Sequence, residues 1–535
     1  MPAAPSSLRV ALTGVGPPRD LRPGRSLVAV LRLAAPVAWS GPTLDSGMTT
    51  PDLAALLAAL EGDASLEGGS PFLRLAADQF ARTRAGDGPV STARSAADLA
   101  ARFDEPLPMG VRPLDEVAAR LERDVLSDVN RLTHPMYLGH QVSAPLAVAV
   151  WSDVVISAVN NSHAVREMSP ATTPVERRVI AWMSELAGFG AGSGGTLTSG
   201  GTEATLTALL AARAAYQPEA WSTGLVGTPP VLVHGEHTHY AVSRAAGVLG
   251  IGASNCVSVA SRDHRMDPDA LGRMLGELRA AGRPVLAVVA TAGCTATGAF
   301  DDLERIADVC ESSAAWLHVD GAHGASALLS ARHRHRVRGI ARARSLAWDP
   351  HKMMLLPLAA GTVLLRDARD LARAYTQQAP YLFHERTDAV GADLGPLSFQ
   401  CSRRADALKV WATLQRFGAD GIGMLYDHLC DLTTTLHGLI EAHERFEPLH
   451  VPEANILCFR YRADDAFNGE LRERYNRSGR GWITATTLGG RRVLRVTIMN
   501  PRTSARHLVD LLRGLEAEAT AMHGEAGRDS EGGIF

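Results

Sequence analysis

The sequence predicts an α/β protein: a largely parallel, doubly wound sheet, preceded by a helical segment and followed by a smaller α+β domain. Three features lead there. From about residue 175 to 370, short apolar runs that end in polar residues alternate with amphipathic stretches of helical period. From Pro51 to about Asn130 apolar residues recur at threes and fours instead. After about residue 415 the texture changes again, to one long helical stretch and a few short strands.

The elements follow in order. Residues 1–47 read as a disordered extension. Within it SLVAVLRLAAPVAWS, behind Arg22-Pro23-Gly24-Arg25, imitates a secretion signal, but Arg32 breaks its apolar run. Met48 opens a better helix start, with Thr49 and Thr50 able to cap and Pro51 suited to a first turn. The helical segment 48–134 contains LAALLAAL, FLRLAADQF and LDEVAARLERDVL, with loops at Gly86–Val90 and Glu105–Val111. The large domain, 135–412, carries the helices VERRVIAWMSELAGF and TEATLTALLAARAAY. Its strands are PVLVHGE, PVLAVVATAG, AWLHVD and SLAWD. The small domain, 413–523, has the helical IGMLYDHLCDLTTTLHGLIEAH and the strands ILCFRYR and RRVLRVTIM. Residues 524–535 are polar and glycine-rich and read as a frayed tail.

Composition narrows the function. With 535 residues the chain has room for two to four domains. A net charge of −3 gives no electrostatic case for nucleic acid or an anionic membrane. The basic run Arg332–Arg344 reads as a solvated face. No apolar stretch approaches the roughly 20 residues of a membrane span. The six cysteines lie far apart, without metal-ligand spacing, and read as reduced, buried thiols of a cytoplasmic protein.

Three constellations carry chemistry. Thr198–Thr205, TSGGTEAT, leads into an apolar helix; its glycines admit close backbone approach, and a helix N-terminus suits a phosphate. A purely structural cap explains this loop equally well, and neither GxxxxGK[ST] nor GxGxxG spacing is present. Trp316–His323, WLHVDGAH, delivers Asp320 at the end of an apolar strand, where it either enters a site or caps the next helix. Ser345–Met354, SLAWDPHKMM, places Lys352 directly after a strand among apolar neighbours. Such a lysine is either a surface residue or a buried amine fit for Schiff-base chemistry. Their order is more telling than any one of them: phosphate loop, carboxylate, lysine. That is the donor set of a pyridoxal 5′-phosphate (PLP) site, where a carboxylate keeps the pyridine nitrogen protonated and the ring becomes an electron sink.

From about Thr133 to Gly418 the chain resembles the group II PLP-dependent amino acid decarboxylases, which include glutamate, cysteine sulfinate, aromatic amino acid and diaminobutyrate decarboxylases. The motifs are HPMYLGHQ, SPATTPVERRVIAWM, LTSGGTEATLTALLAAR, EHTHYAVSRAAGVLGIG, ATAGCTATGAFDDLERIA, LHVDGAHGA, SLAWDPHKMM, APYLFHERTD and QCSRRADALKVW.

The resemblance implies PLP fold type I, like aspartate aminotransferase, with a mostly parallel seven-stranded sheet, and PLP as cofactor. It implies that Lys352 binds the cofactor covalently, Asp320 pairs with its ring nitrogen and His239 stacks on its ring. Gly201 and Thr202 match phosphate positions, His351 is a neighbour of phosphate or lysine, and Thr295 and Ala322 match cofactor-face positions. Tyr381 matches the mobile-loop tyrosine that reprotonates the substrate carbon. Arg495 matches the arginine that contacts the α-carboxylate, and Ser162 a substrate-segment position.

Two positions depart from the pattern: Asp349 stands where relatives often have Asn, and Cys294-Thr295 replaces a Thr-Thr pair. The residue after HVDGA varies in such proteins, so His323 carries no signal.

The implied activity is decarboxylation of an L-amino acid to its amine and carbon dioxide by a homodimer with shared active sites. The favoured substrate is a small acidic amino acid, with Arg166 or Arg404 as candidates for a distal carboxylate. Diaminobutyrate, aromatic amino acids or another fold type I lyase or aminotransferase reaction are the alternatives.

Overall fold

The computed structural model describes residues 53–65, 67–92, 94–376, 379 and 393–531. The N-terminal extension, the expected cap at Thr49 to Pro51 and Tyr381 lie outside them. The chain forms two compact units. One takes residues 1–62 and 107–112, and its described part is mainly the helix Leu53–Asp63. The other, residues 63–106 and 113–535, holds everything that follows.

Its centre is a seven-stranded sheet built from β1 (Gly194–Thr198), β2 (Val231–Gly235) and β3 (Cys256–Val259). A two-stranded hairpin comes next, β4 (Ser261–Arg262) and β5 (Arg265–Met266). The sheet then resumes with β6 (Val285–Thr291), β7 (Trp316–Asp320), β8 (Ser345–Trp348) and β9 (Gly361–Leu365). The order is β1-β9-β8-β7-β6-β2-β3, with β9 antiparallel to both its neighbours and the other pairs parallel. This is the mostly parallel sheet that the sequence leads one to expect.

Both faces of the sheet are covered, so its strands are apolar throughout rather than alternating with polar residues. Period two still sorts the side chains between the faces. Val231, Val233, Val288, Ala290, Leu317 and Val319 pack on one side with Leu271, Leu303 and Ile306. Leu232, Ala287, Val289 and Trp316 pack on the other with Ala204, Ala208, Val242 and Ala245. Asp267 caps the helix Pro268–Ala280 through the N–H groups of Asp269 and Ala270, and Asp302 caps Leu303–Ser312 through Arg305 N. The register sets Thr291 beside Asp320 and Asp320 beside Ala347, so the strand ends that carry polar groups finish level.

The small antiparallel sheet comprises β10 (Phe446–Pro448), β11 (Ile456–Tyr461), β12 (Thr484–Leu488) and β13 (Arg491–Thr497), in the order β10-β11-β13-β12. The helix Ala407–Glu441 leads into it, turning at Gly418 with φ 67° and ψ 170°. That helix crosses the 412/413 position at which the sequence suggests a domain boundary. The HPMYLG segment runs along the small sheet: Leu138 N donates to Trp482 O at 2.8 Å and Thr497 N to Leu138 O at 3.0 Å. The last helix, Ala505–Glu531, continues past Gly524, where the sequence predicts fraying.

One expectation needs correction. All six cysteines are free, but only Cys294, Cys310, Cys430 and Cys458 are buried; Cys401 is exposed and Cys256 half-buried. Cys401 lies in a loop segment rather than on an apolar run, so nothing covers it.

Candidate active site

A cavity of about 310 Å³ opens where the strand ends finish. Thr291 ends β6, Asp320 ends β7 and Asp349 directly follows β8. Across from them lies the start of the helix Gly201–Tyr216, which follows β1. This is the crevice at the carboxyl ends of the strands where open α/β sheets place ligands.

The helix start is built for close approach. A Cβ on Gly201 would lie 2.8 Å from Ala322 Cβ, and one on Gly361 would lie 2.5 Å from Gly200 Cα. Only glycine permits this packing at either position. No side chain caps the helix; Gly201 N donates to Asp349 Oδ2 at 2.9 Å. Ser199 is tied to the first turn, its N and Oγ both donating to Glu203 Oε2, at 2.9 and 2.6 Å. Gln400 Nε2 donates to the same oxygen at 2.8 Å.

On the opposite wall, Asp320 is 8% exposed and its Oδ1 accepts from Ala322 N at 3.2 Å. His239 stands near it with Nδ1 accepting from Ala241 N at 3.2 Å, which leaves the proton on Nε2. Burial lowers its pKa, against the pull of Asp320. His318, wholly buried behind Asp320, is driven down to about 4 by burial, and its Nδ1 lies 2.9 Å from Ser345 Oγ. His351 Nδ1 donates to Ala360 O at 2.7 Å, and burial again lowers its pKa. Lys352 Nζ lies 3.3 Å from Asp349 Oδ2. The other oxygen of Asp349 is buried without a hydrogen-bond partner.

Gly201, Thr202, His239, Thr295, Asp320, Ala322, His351 and Lys352 all line this one cavity. Ser162 and Arg495 are not among its lining residues. Ser162 Oγ accepts from Ala164 N at 3.3 Å. Arg495 sits on β13 opposite both Cys458 and Thr484. Its Nε donates to Ala296 O at 3.1 Å, beside cavity-lining Thr295, while its Nη2 is buried and unpartnered. Arg404 is engaged elsewhere, with Asp153 at 2.6 Å.

The cavity also takes Ser199 of the glycine loop, and residues to which the sequence assigned no site role: Thr291, Gly293, His323 and Leu358. His323 Nε2 donates to Asn455 Oδ1 at 2.7 Å, an orientation fixed because Asn455 Nδ2 donates to Ile498 O. Burial drives His323 down to about 3, so the ring is neutral. No sequence signal marked this pair, whose members are separated by 132 positions.

The donor set fits PLP: a helix start without a side-chain cap of its own for a phosphate, a strand-end carboxylate for a pyridinium, and an amine lining the same cavity. A sheet of this topology with that set at its strand ends defines a fold type I PLP enzyme. Residues 97–462 match the pyridoxal-dependent decarboxylase conserved domain, and the chain belongs to that family of PLP-dependent amino acid decarboxylases. The L-2,4-diaminobutyrate decarboxylase of Rhizobium meliloti is 36% identical over 413 residues, 73% of this chain and 81% of that protein. The acidic amino acid decarboxylase GADL1 of Homo sapiens is 35% identical over 343 residues, 63% of this chain and 66% of that one. The crystal structure of mouse CSAD has a TM-score of 0.79 at 28% identity, covering 88% of this chain and 99% of its own. Among the described residues no helix is long and apolar enough to cross a membrane.

Proposed function

We propose that this enzyme decarboxylates a small acidic L-amino acid, with the α-carboxylate oriented by Arg495. Arg495 is 6% exposed, with a free Nη2 and no carboxylate in ion-pair range among the described residues, which supports its part with the α-carboxylate. A buried cation without a counter-charge is costly, and the α-carboxylate of an L-amino acid supplies one. The observation that favours an acidic side chain is the lining itself: among the described residues its carboxylates are Asp320 and Asp349, both committed to the cofactor in this reading. A distal ammonium therefore finds no further partner among the described lining residues. The names of the acidic amino acid and cysteine sulfinic acid relatives point the same way.

PLP, when bound, supplies the electron sink for the pair left on Cα as carbon dioxide departs. Asp320 would keep the ring nitrogen protonated, His239 would stack on the ring, and the helix start at Gly201 and Thr202 would hold the phosphate. Lys352 would hold the cofactor through its amine. Tyr381 delivers the proton to Cα, and that delivery separates decarboxylation from transamination. A second reading, diaminobutyrate as substrate, is favoured by the Rhizobium relative, which matches at higher identity over more of the chain.

The test is carbon dioxide release from glutamate, aspartate, cysteine sulfinate, diaminobutyrate, tyrosine and DOPA in turn, with Lys352→Ala as control. Turnover of an acidic substrate, lost in the variant, is expected. Turnover of diaminobutyrate alone overturns the acidic reading.

The same reading includes a cytoplasmic homodimer. The helix Ala147–Val159 exposes Trp151, Val154, Val155 and Val159, an apolar face that a second copy would cover. Sedimentation of the PLP-loaded protein is expected to give a dimer, and an active monomer overturns it.

A further inference from the structure

We propose that Asp349 shares the start of the helix Gly201–Tyr216 with the cofactor's phosphate, so that PLP loading takes up one proton. The inference rests on the reading that Lys352 and the Gly201 loop hold PLP. Asp349 is 1% exposed and its backbone follows β8 directly, so its carboxyl has little room to leave. Its Oδ2 already accepts the Gly201 N–H that a phosphate at this helix start would use. Its Oδ1 is buried and unpartnered, 2.8 Å from where a Cβ on Gly361 would stand. Among the described residues that oxygen has no hydrogen-bond donor.

The charges around Asp349 decide what happens when a phosphate arrives. Lys352 Nζ at 3.3 Å and His351 Nε2 at 3.6 Å face it. His239 and Asp320 line the same cavity, Lys409 lowers the pKa of His351, and Glu203 is engaged by Ser199. Burial favours neutral rings for His351 and His239, which leaves Lys352 as the amine in contact among the described residues. In the reading above that nitrogen is drawn to the cofactor's aldehyde. A carboxylate and a phosphate then meet at one helix start with a single dipole between them. A shared proton relieves the repulsion, as it does in paired carboxylates: a protonated Asp349 keeps the Gly201 N–H and donates to the phosphate. An asparagine at this position makes the same two contacts without the proton.

The sign follows from linkage. A proton taken up on binding makes affinity highest at low pH and weakens it as pH rises. Cofactor-free wild type, Asp349→Asn and Lys352→Ala are titrated with PLP, and separately with pyridoxal, from pH 6 to 8.5, following the visible band of the lysine-bound cofactor. The PLP dissociation constant of the wild type is expected to rise with pH about tenfold per unit more steeply than that of Asp349→Asn. Pyridoxal, which lacks the phosphate, is expected to show no such difference between the two. Parallel PLP profiles overturn the proposal, and so does an equal change for pyridoxal, which would place the effect at the amine. If Lys352→Ala keeps the lysine-bound band, the cofactor reading fails instead. Proton uptake by the wild type needs no variant. At pH 8 about one more proton per subunit is expected with PLP than with pyridoxal, and equal uptake overturns the proposal.

Discussion

Glu176 and Asp349 are each 1% exposed, yet their surroundings differ in kind. Both oxygens of Glu176 are fully engaged. Arg403 approaches it with two nitrogens, His163 Nδ1 donates at 2.8 Å, and Leu197 N donates at 3.3 Å. Burial would raise its pKa, but Arg403 and His163 together hold the carboxyl well below the usual range. Asp349 has one backbone donor, a lysine at 3.3 Å and a buried oxygen without a partner, and it lines the cavity. The difference separates structure from function. A buried charge with every lone pair satisfied fixes the chain in one arrangement, whereas one left short of partners is held ready for a ligand.

The sharpest way to break the comparison is to remove the satisfied charge. Glu176→Gln leaves Arg403 buried without a counter-ion, and stability is expected to fall by about 3–5 kcal/mol. Carbon dioxide release per PLP-loaded subunit is expected to hold, because Glu176 touches nothing in the Lys352 cavity. Urea unfolding and a rate normalised to bound PLP check the two halves. A rate loss without a stability loss would put Glu176 on the functional side.

The Glu176 pair also shows where the sequence is legible. It joins the start of SPATTPVERRVIAWM to QCSRRADALKVW, two motifs that the sequence displays but does not connect. Arg403 and Arg404 are adjacent and chemically identical, yet one is buried against Glu176 and the other meets Asp153 half-exposed. Only the packing tells them apart. The central strands β6, β7 and β8 were legible because burial on both faces makes them continuous apolar runs. β1 and β9, GGTLT and GTVLL, were missed: five residues led by glycine carry too little apolar signal. The antiparallel course of β9 depends on its neighbours alone. In the site, the order of loop, carboxylate and lysine was readable. The His323–Asn455 pair, and the claim of Asp349 on Gly201 N–H, depend on tertiary proximity and were not.

Asp301 sharpens the comparison, because it has donors but no cation in hydrogen-bond contact. It is buried, with Oδ2 accepting from Thr291 N at 2.7 Å and Oδ1 from Met266 N at 2.8 Å. Burial nevertheless outweighs these two bonds and pushes its pKa from 3.8 up to about 6. A carboxyl raised in the folded state favours folding most below its unfolded value, and that advantage is lost as pH rises through the folded one. Asp301 therefore lowers stability between about pH 4 and pH 6, by up to about 3 kcal/mol. The depressed pKa of Glu176 acts in the opposite sense and at lower pH, losing its contribution as pH falls below the usual carboxylate range. The two windows barely overlap. Unfolding free energy measured from pH 4 to 7 in wild type and Asp301→Asn isolates the first. Asparagine cannot accept both N–H groups as well, so the variant is expected to be weaker at acid pH; the readout is the slope. The wild type is expected to lose stability relative to the variant as pH rises from 4 to 6 and to run parallel above that. Parallel curves throughout would mean that two backbone donors suffice to keep a buried carboxylate charged, and that a counter-ion is not what distinguishes Glu176.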